Sequence, residues 1–385
     1  MNTKILSDIP LSPIGLGCYA ISGVYGQKDP NQFTKIIKEA FDLGIKFFDT
    51  ADQYGDAEEV LGKAVKPFRY QIAIASKIGL TNKGSVNLTK KYIISACEAS
   101  LKRLQTDYLD LYQIHYDDPK TPVSETIEAL ELLKKEGKIR HYGVGHLPKK
   151  RILEYLELGN ISTVLMELSA VATKQYQQIH PLQTEYNFGI IGFSTTGRGL
   201  LTGKITPGHQ FAPNDIRNVD PLFQKAKFAS GLRVAEKLKE LGKKYGKTPV
   251  QVAIAWVLAQ PGVVTALIGP SKSEHLRENI GAIGWRLEVE DLQNLNQFLK
   301  EEEKKLVRET KQEIYNILKN NLNSDPEQAI KDLIYVIENS IEIELVNSKD
   351  VIPLFQQLWK IKKRPDGLQI QPLMQIQKEL SKLIK

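Results

Sequence analysis

Tyr108-Leu109-Asp110-Leu111-Tyr112-Gln113-Ile114-His115 is a short run of apolar and aromatic residues that ends on an imidazole. Two other segments share this form. Ile45-Lys46-Phe47-Phe48 runs into Asp49, with Tyr54 a few residues on, and Gln71-Ile72-Ala73-Ile74-Ala75-Ser76 runs into Lys77. β-Branched and aromatic residues in runs this short indicate buried strands. Polar groups at the C-terminal ends of such strands gather on one face of a parallel α/β array.

Outward from these segments, strand-like and helix-like patterns alternate as far as residue 283. Further strands are expected near Leu11 to Leu16, Arg140 to Val144, Thr163 to Glu167, Gly189 to Ser194 and Val264 to Ile268. Helices are expected at Ala57 to Val65, Asn87 to Leu104, Val123 to Glu136, Lys149 to Leu158, Tyr176 to Glu185 and Ser273 to Ala282. An earlier one opens at the cap Asp29-Pro30 and carries Phe33, Ile36, Ile37, Ala40 and Phe41 at helical spacing. Eight strands, each alternating with helical sequence, favour a (β/α)8 TIM barrel over an open sheet. Beyond Leu299 the composition becomes helical, with apolar periodicity in Ile314 to Leu322 and Ala329 to Ile343. Breaks fall at Asn320 to Pro326, around Asn347 to Pro353 and at Pro365-Asp366-Gly367. The expected organisation is therefore a barrel over residues 1–300 and an appended α-helical domain over 301–385.

The chain has 385 residues, 42% hydrophobic and 25% charged, with a net charge of +7. Lysine plus arginine and aspartate plus glutamate each number about 14 in 301–385, so the positive excess lies in the barrel. No basic run exceeds Lys362-Lys363-Arg364, which argues against nucleic acid and for an anionic small molecule. Cys18 and Cys97 cannot build a disulfide framework, and no Cys/His spacing suits a metal. The leading residues Met1 to Asp8 lack an apolar signal region, and no stretch approaches the ~18 apolar residues of a membrane span. The expectation is a cytoplasmic protein with no membrane contact.

Asp49, Tyr54, Lys77 and His115 have the chemistry of proton transfer at a carbonyl. A phenol with a pKa of about 10 becomes a useful acid near neutrality when a cation lowers it. Lys77 is the candidate cation, Asp49 its anchor, and His115 a donor to a carbonyl oxygen. Singly, each has an ordinary reading as a loop aromatic, a solvated strand end or a histidine bonded to backbone. Four on one face argue for a site.

The chain resembles the aldo-keto reductase superfamily, in its bacterial-type branch. The resemblance rests on Phe48-Asp49-Thr50-Ala51-Asp52-Gln53-Tyr54-Gly55, on Ser100 to His115, on Gly137-Lys138-Ile139-Arg140 and on Gly197-Arg198-Gly199-Leu200-Leu201-Thr202-Gly203-Lys204. Pro213-Asn214-Asp215-Ile216-Arg217 and Glu278-Asn279 are similar to later family segments, so it spans roughly residues 8–300. It implies a nicotinamide cofactor bound without a Rossmann domain, reduction of an aldehyde or ketone, and the tetrad Asp49, Tyr54, Lys77 and His115. Tyr54 would be the general acid.

The resemblance also implies cofactor positions. Phe193 falls where an aromatic stacks on the nicotinamide, followed by Ser194, Gly197 and Gly199. Ser271 and Lys272 open a helix whose N-terminus suits phosphate, and His275 and Asn279 match adenosine positions. Lys272 favours NADPH over NADH. The carboxamide contacts depart from the family: its Gly-Val-Ser-Asn reads Gly143-Val144-Gly145-His146, and its glutamine falls at Leu165. His146 is the one candidate donor there, and a weaker cofactor, a different one or none is the alternative. Tyr19 and Tyr116 are candidate substrate walls.

Two look-alikes carry no phosphate loop. Gly15-Leu16-Gly17-Cys18-Tyr19-Ala20 is not followed by a helix-forming segment, and Gly199 to Lys204 is one residue short of a P-loop. Three readings stay open: an NADPH-dependent carbonyl reductase, a redox-neutral lyase, isomerase or cyclase using the same tetrad, and a nucleotide-sensing binding protein. Residues 301–385 read either as a wall of the substrate mouth or as a packing or homo-oligomerisation appendage.

Overall fold

The computed structural model describes residues 6, 8–26, 29–81, 84–362 and 369–384. Most of the leading segment, Lys363 and Arg364 of the basic run, and the expected break at Pro365-Asp366-Gly367 lie outside the described residues. Eight strands, β1 (Ile14–Gly17), β2 (Phe47–Asp49), β3 (Ala73–Ile78), β4 (Leu109–Ile114), β5 (Ile139–Gly145), β6 (Thr163–Glu167), β7 (Gly189–Phe193) and β8 (Val263–Ile268), form a closed parallel barrel in chain order. The (β/α)8 expectation holds. β1 closes on β8 with Gly15 opposite Leu267.

Between the strands lie α1 (Pro30–Asp42), α2 (Ala57–Val65), α3 (Lys90–Leu104), α4 (Val123–Lys135), α5 (Lys149–Leu158) and α6 (Lys174–Ile179). α1 starts where its sequence requires: the Asn31 amide donates to the Asp29 side chain at 2.9 Å, with Pro30 in the first turn. α6 is shorter than expected. It passes into a 3-10 turn over His180–Thr184, because Pro181 has no amide to continue the helical ladder. Two helices stand between β7 and β8, α7 (Lys225–Tyr245) and α8 (Pro249–Leu258). In α8 seven of the ten residues are buried and none is exposed, so it lacks the polar face that makes a helix visible by periodicity.

Inside the barrel, successive inward positions form an apolar plug of Phe47, Ala73, Ala75, Leu111, Leu165, Ile191 and Leu267, together with Leu6 and Ile9. Strand side chains alternate faces. The next inward position above Phe47 is therefore Asp49, above Ala75 it is Lys77, above Leu111 it is Gln113, and above Ile191 it is Phe193. The plug is the floor on which the polar layer rests.

The described chain divides into two compact units. The second comprises Val219–Ser230 and residues from Leu295 onward, so the expected boundary at 300 falls within a helix and 219–230 belongs with the helical unit. It contains most of α10 (Val289–Lys319), then α11 (Pro326–Glu342), α12 (Ser348–Lys362) and α13 (Ile370–Leu383). It has its own core, including Ile314, Leu333, Val336, Leu358 and Leu380. Ion pairs Lys225–Asp332 at 2.9 Å and Lys227–Glu342 at 2.5 Å tie the 219–230 segment to α11. Pro353 does not break the chain as expected but lies inside α12; its neighbours Val351 and Leu354 are buried, and that packing offsets one lost backbone hydrogen bond.

α2 crosses α3 at Gly62. A β-carbon there would stand 2.3 Å from the Leu104 carbonyl oxygen, and backbone on both sides cannot turn away. Gly62→Ala is expected to lower stability by about 1 to 3 kcal/mol, seen as a lower urea midpoint with the far-ultraviolet spectrum of the native state retained.

Candidate active site

The site is built on the C-terminal rim of the barrel. Lys77, 1% exposed, donates a short hydrogen bond to Asp49 and a second, of 2.7 Å, to the Thr50 carbonyl. Gln113, the β4 neighbour of Lys77 in the ladder, donates to the other Asp49 oxygen at 3.3 Å. Burial raises the Asp49 carboxyl above its ordinary range, opposed by the Lys77 ammonium and by the hydrogen bonds from Lys77 and Gln113. Gln113 was not singled out from the sequence. Its signal was there: a polar residue at an inward position of a buried strand, two after Leu111.

Tyr54 lies on the loop after β2, where its amide donates to the Ala51 carbonyl and its own carbonyl accepts from the Ala57 amide, both at 3.1 Å. The Lys77 ammonium is 4.9 Å from the Tyr54 ring centroid. His115 follows β4 with its amide donating to the Ile78 carbonyl at 2.6 Å, and its ring stands edge-on to Tyr54 at 5.8 Å. The structure thus brings Asp49, Tyr54, Lys77 and His115 together.

Two charge states differ from simple expectation or sharpen it. Burial and the Asp49 carboxylate push the Tyr54 phenol well above its ordinary value, with Tyr19, Tyr116 and Cys18 adding to the effect. Lys77, held by Asp49 and the Thr50 carbonyl, does not outweigh these effects. Burial, then Lys77 and His146, push His115 down to about 2. A neutral imidazole keeps one N–H to donate and one lone pair to accept, and His115 Nδ1 is buried without a hydrogen-bond partner among the described residues.

Around this centre the rings form a cup. Tyr19 packs on Tyr54 at 4.9 Å, and Tyr116 on His115 at 4.5 Å; both expected wall residues are exposed at the rim. His146, just after β5, has a left-handed backbone with φ of 54°, which costs a residue with a β-carbon about 1 kcal/mol. Its exposed ring lies 5.1 Å from His115 and stacks on Phe193 at 4.7 Å. Although open to the cup, it is surrounded closely enough that burial, Lys77 and Arg198 lower it to about 4. It is neutral at pH 7. Gly145 faces Leu165, whose side chain would be 3.2 Å from a β-carbon at 145. Close apolar packing thus stands at the positions of the family's carboxamide contacts.

Beyond Phe193 the chain turns through left-handed conformations at Ser194, Gly197, Arg198 and Gly199, a backbone form that presents amides to anions. Arg198 pairs with Glu167 at 3.2 Å. Lys272 caps α9 (Ser273–Ile280), and Ser271 accepts from Gln32 at 2.7 Å through its carbonyl. Burial, then Lys204 and Lys272, lowers His275, placing two cations close to it, and Asn279 is buried on the same helix. Among the described residues no group of three potential ligands suits a metal, and no helix is long and apolar enough to cross a membrane.

A parallel eight-stranded barrel with a buried lysine–aspartate pair beneath a tyrosine and a histidine defines a class of protein. The Aldo/keto reductase family matches residues 13–300, and the chain belongs to that family. It is 36% identical over 302 residues to aldo-keto reductase YhdN of Bacillus subtilis, covering 76% of this chain and 91% of that protein. The glycerol dehydrogenase AKR11B4 of Gluconobacter oxydans superposes with a TM-score of 0.70 at 31% identity, over 77% of this chain and 93% of that one. An aldo/keto reductase of Klebsiella pneumoniae, solved with NADP and acetate, gives 0.60 at 25% identity, over 75% and 92%.

His115 lies below the ~6.5 of an unfolded histidine, so as pH falls the unfolded chain binds a proton that the native site refuses. The associated stability is full above pH ~6.5 and is lost below it, by about 2 kcal/mol between pH 7 and pH 5. His115→Phe should show correspondingly less acid sensitivity when urea midpoints are compared at those two pH values.

Proposed function

We propose that this protein reduces an aldehyde or ketone to the alcohol with NADPH, with Tyr54 as general acid. The observation that carries this reading is the Lys77 ammonium, clamped by Asp49 and set 4.9 Å from the Tyr54 ring, with His115 edge-on beside it. When bound, the dinucleotide would supply the hydride for the carbonyl carbon. Everything else falls to the chain's own residues.

The carbonyl oxygen is received between the Tyr54 hydroxyl and the neutral His115 imidazole. As the C–O double bond breaks and the oxygen gains negative charge, the Tyr54 O–H bond breaks and its proton passes to that oxygen. The resulting phenolate lies in the field of Lys77, which stabilises it in a low-dielectric site. The raised pKa of Tyr54 keeps the phenol protonated at neutral pH, and transfer of its proton depends on the negative charge that develops on the carbonyl oxygen. Asp49 and Gln113 hold Lys77 in place, and Tyr19 and Tyr116 wall the substrate.

The dinucleotide would be held by Phe193 at the nicotinamide, by the backbone of Ser194, Gly197 and Gly199, and by Ser271, Lys272, His275 and Asn279 around the adenosine. Lys272 near His275 and the amide-rich turn after β7 fit a phosphorylated cofactor, whereas Lys204 beside them is paired with Glu278 at 2.8 Å. The NADP complex of the Klebsiella relative supports the same choice. One observation favours a second, redox-neutral reading: the packing of Gly145 on Leu165 and of His146 on Phe193.

Titration of protein fluorescence with NADPH and NADH tests the proposal, with micromolar NADPH affinity expected. Absence of binding up to millimolar concentration would favour the redox-neutral reading. Tyr54→Phe should reduce carbonyl turnover by roughly 10²- to 10⁴-fold with NADPH affinity nearly unchanged; full activity in this variant would refute the acid role. Lys272→Glu should weaken NADPH on the order of tenfold while leaving NADH much less affected.

A further inference from the structure

Three rings form a ladder at the mouth of the cup. Tyr116 and His146 lie 5.9 Å apart with planes 21° from parallel, and His146 and Phe193 lie 4.7 Å apart at 28°. The imidazole is thus sandwiched between two aromatic rings. A ring centred 4.7 Å from Phe193 is already at stacking distance, so no second planar ring fits between them. Phe193 also packs against the apolar plug that contains Leu165 and Ile191, which leaves it little other surface to offer.

Building on the proposed use of NADPH, we infer that His146 occupies the seat of the nicotinamide ring, and that cofactor entry turns the imidazole out of the slot between Tyr116 and Phe193. His146 is an occupant of this seat rather than a carboxamide donor. Its contacts agree with such a role. The ring makes no hydrogen bond to any described residue, is exposed to the cup and is neutral at pH 7, so stacking alone holds it. The backbone before it is pinned, because Gly145 lies against Leu165, so the side chain is the part free to move. The neighbouring catalytic pair can stay where it is: Lys77 is tied to Asp49 and Thr50, and the His115 amide is tied to Ile78.

A site filled by its own side chain binds with an affinity reduced by the fraction of molecules in which the seat is open. Removing the occupant raises affinity, whereas removing a donor lowers it. The two roles therefore differ in sign.

The experiment measures dissociation constants of NADPH and of adenosine 2′,5′-bisphosphate, which lacks the nicotinamide, for the full-length wild-type protein and for His146→Ala. NADPH should bind the variant about tenfold more tightly, with the affinity for the bisphosphate unchanged. In wild-type protein, the imidazole resonance absent from the variant should lie upfield through ring currents. It should move toward its unstacked position on saturation with NADPH but not with the bisphosphate. Equal or weaker NADPH binding in the variant, or a resonance that stays upfield in the NADPH complex, overturns the inference while leaving the reductase reading intact. Failure of NADPH to bind either protein overturns the reductase reading, and this inference with it.

Discussion

The buried Lys77–Asp49 pair is the constraint around which the site is organised. An ammonium on an apolar floor of Phe47, Ala75 and Leu111 has lost its water, and leaving such a charge unpaired costs several kcal/mol. Asp49 and the Thr50 carbonyl are the compensation, with Gln113 supporting Asp49, and Asp49 and Gln113 occupy the rim because their strands place them one inward step above the plug. Keeping the pair closed requires β2, β3 and β4 in one register, with Asp49 opposite Ala75 and Lys77 opposite Gln113. The chemistry and the strand alignment are thus enforced together.

The same low dielectric sets the state of the surrounding groups. It keeps Tyr54 protonated and His115 neutral, so the cup presents a phenol and an imidazole able to donate without carrying charge. Lys77 has little effect on the resting phenol because Asp49 already balances it. Its influence grows when the Tyr54 oxygen becomes negative, which is where a fixed charge contributes to a reaction.

β5 and β6 depart from the rest of the rim. β5 ends on Gly145 with His146 next, and β6 carries Leu165, so polar side chains give way to close packing and one movable imidazole. The family match ends at residue 300, and the helices beyond it bury a core of their own. In that unit Asp325 caps α11, a local rule of helix formation, while Tyr335 on α11 donates to Glu313 on α10.

The barrel was legible in the sequence because alternation between short buried strands and amphipathic helices is a local property, as are the Asp29-Pro30 cap and the residues ending each strand. Where local signals were weak or opposed, the sequence was silent or misleading: α8 has no polar face, α12 runs through Pro353, and Val219–Ser230 joins a unit whose helices lie far along the chain. Asp49, Tyr54, Lys77 and His115 could be named from their positions, yet Gln113 emerged only with the ladder that sets it beside Lys77. The state of Tyr54 and the seat of His146 were decided by tertiary structure alone. Both depend on desolvation and on ring contacts between residues from different strands, and these exist only once the barrel has closed.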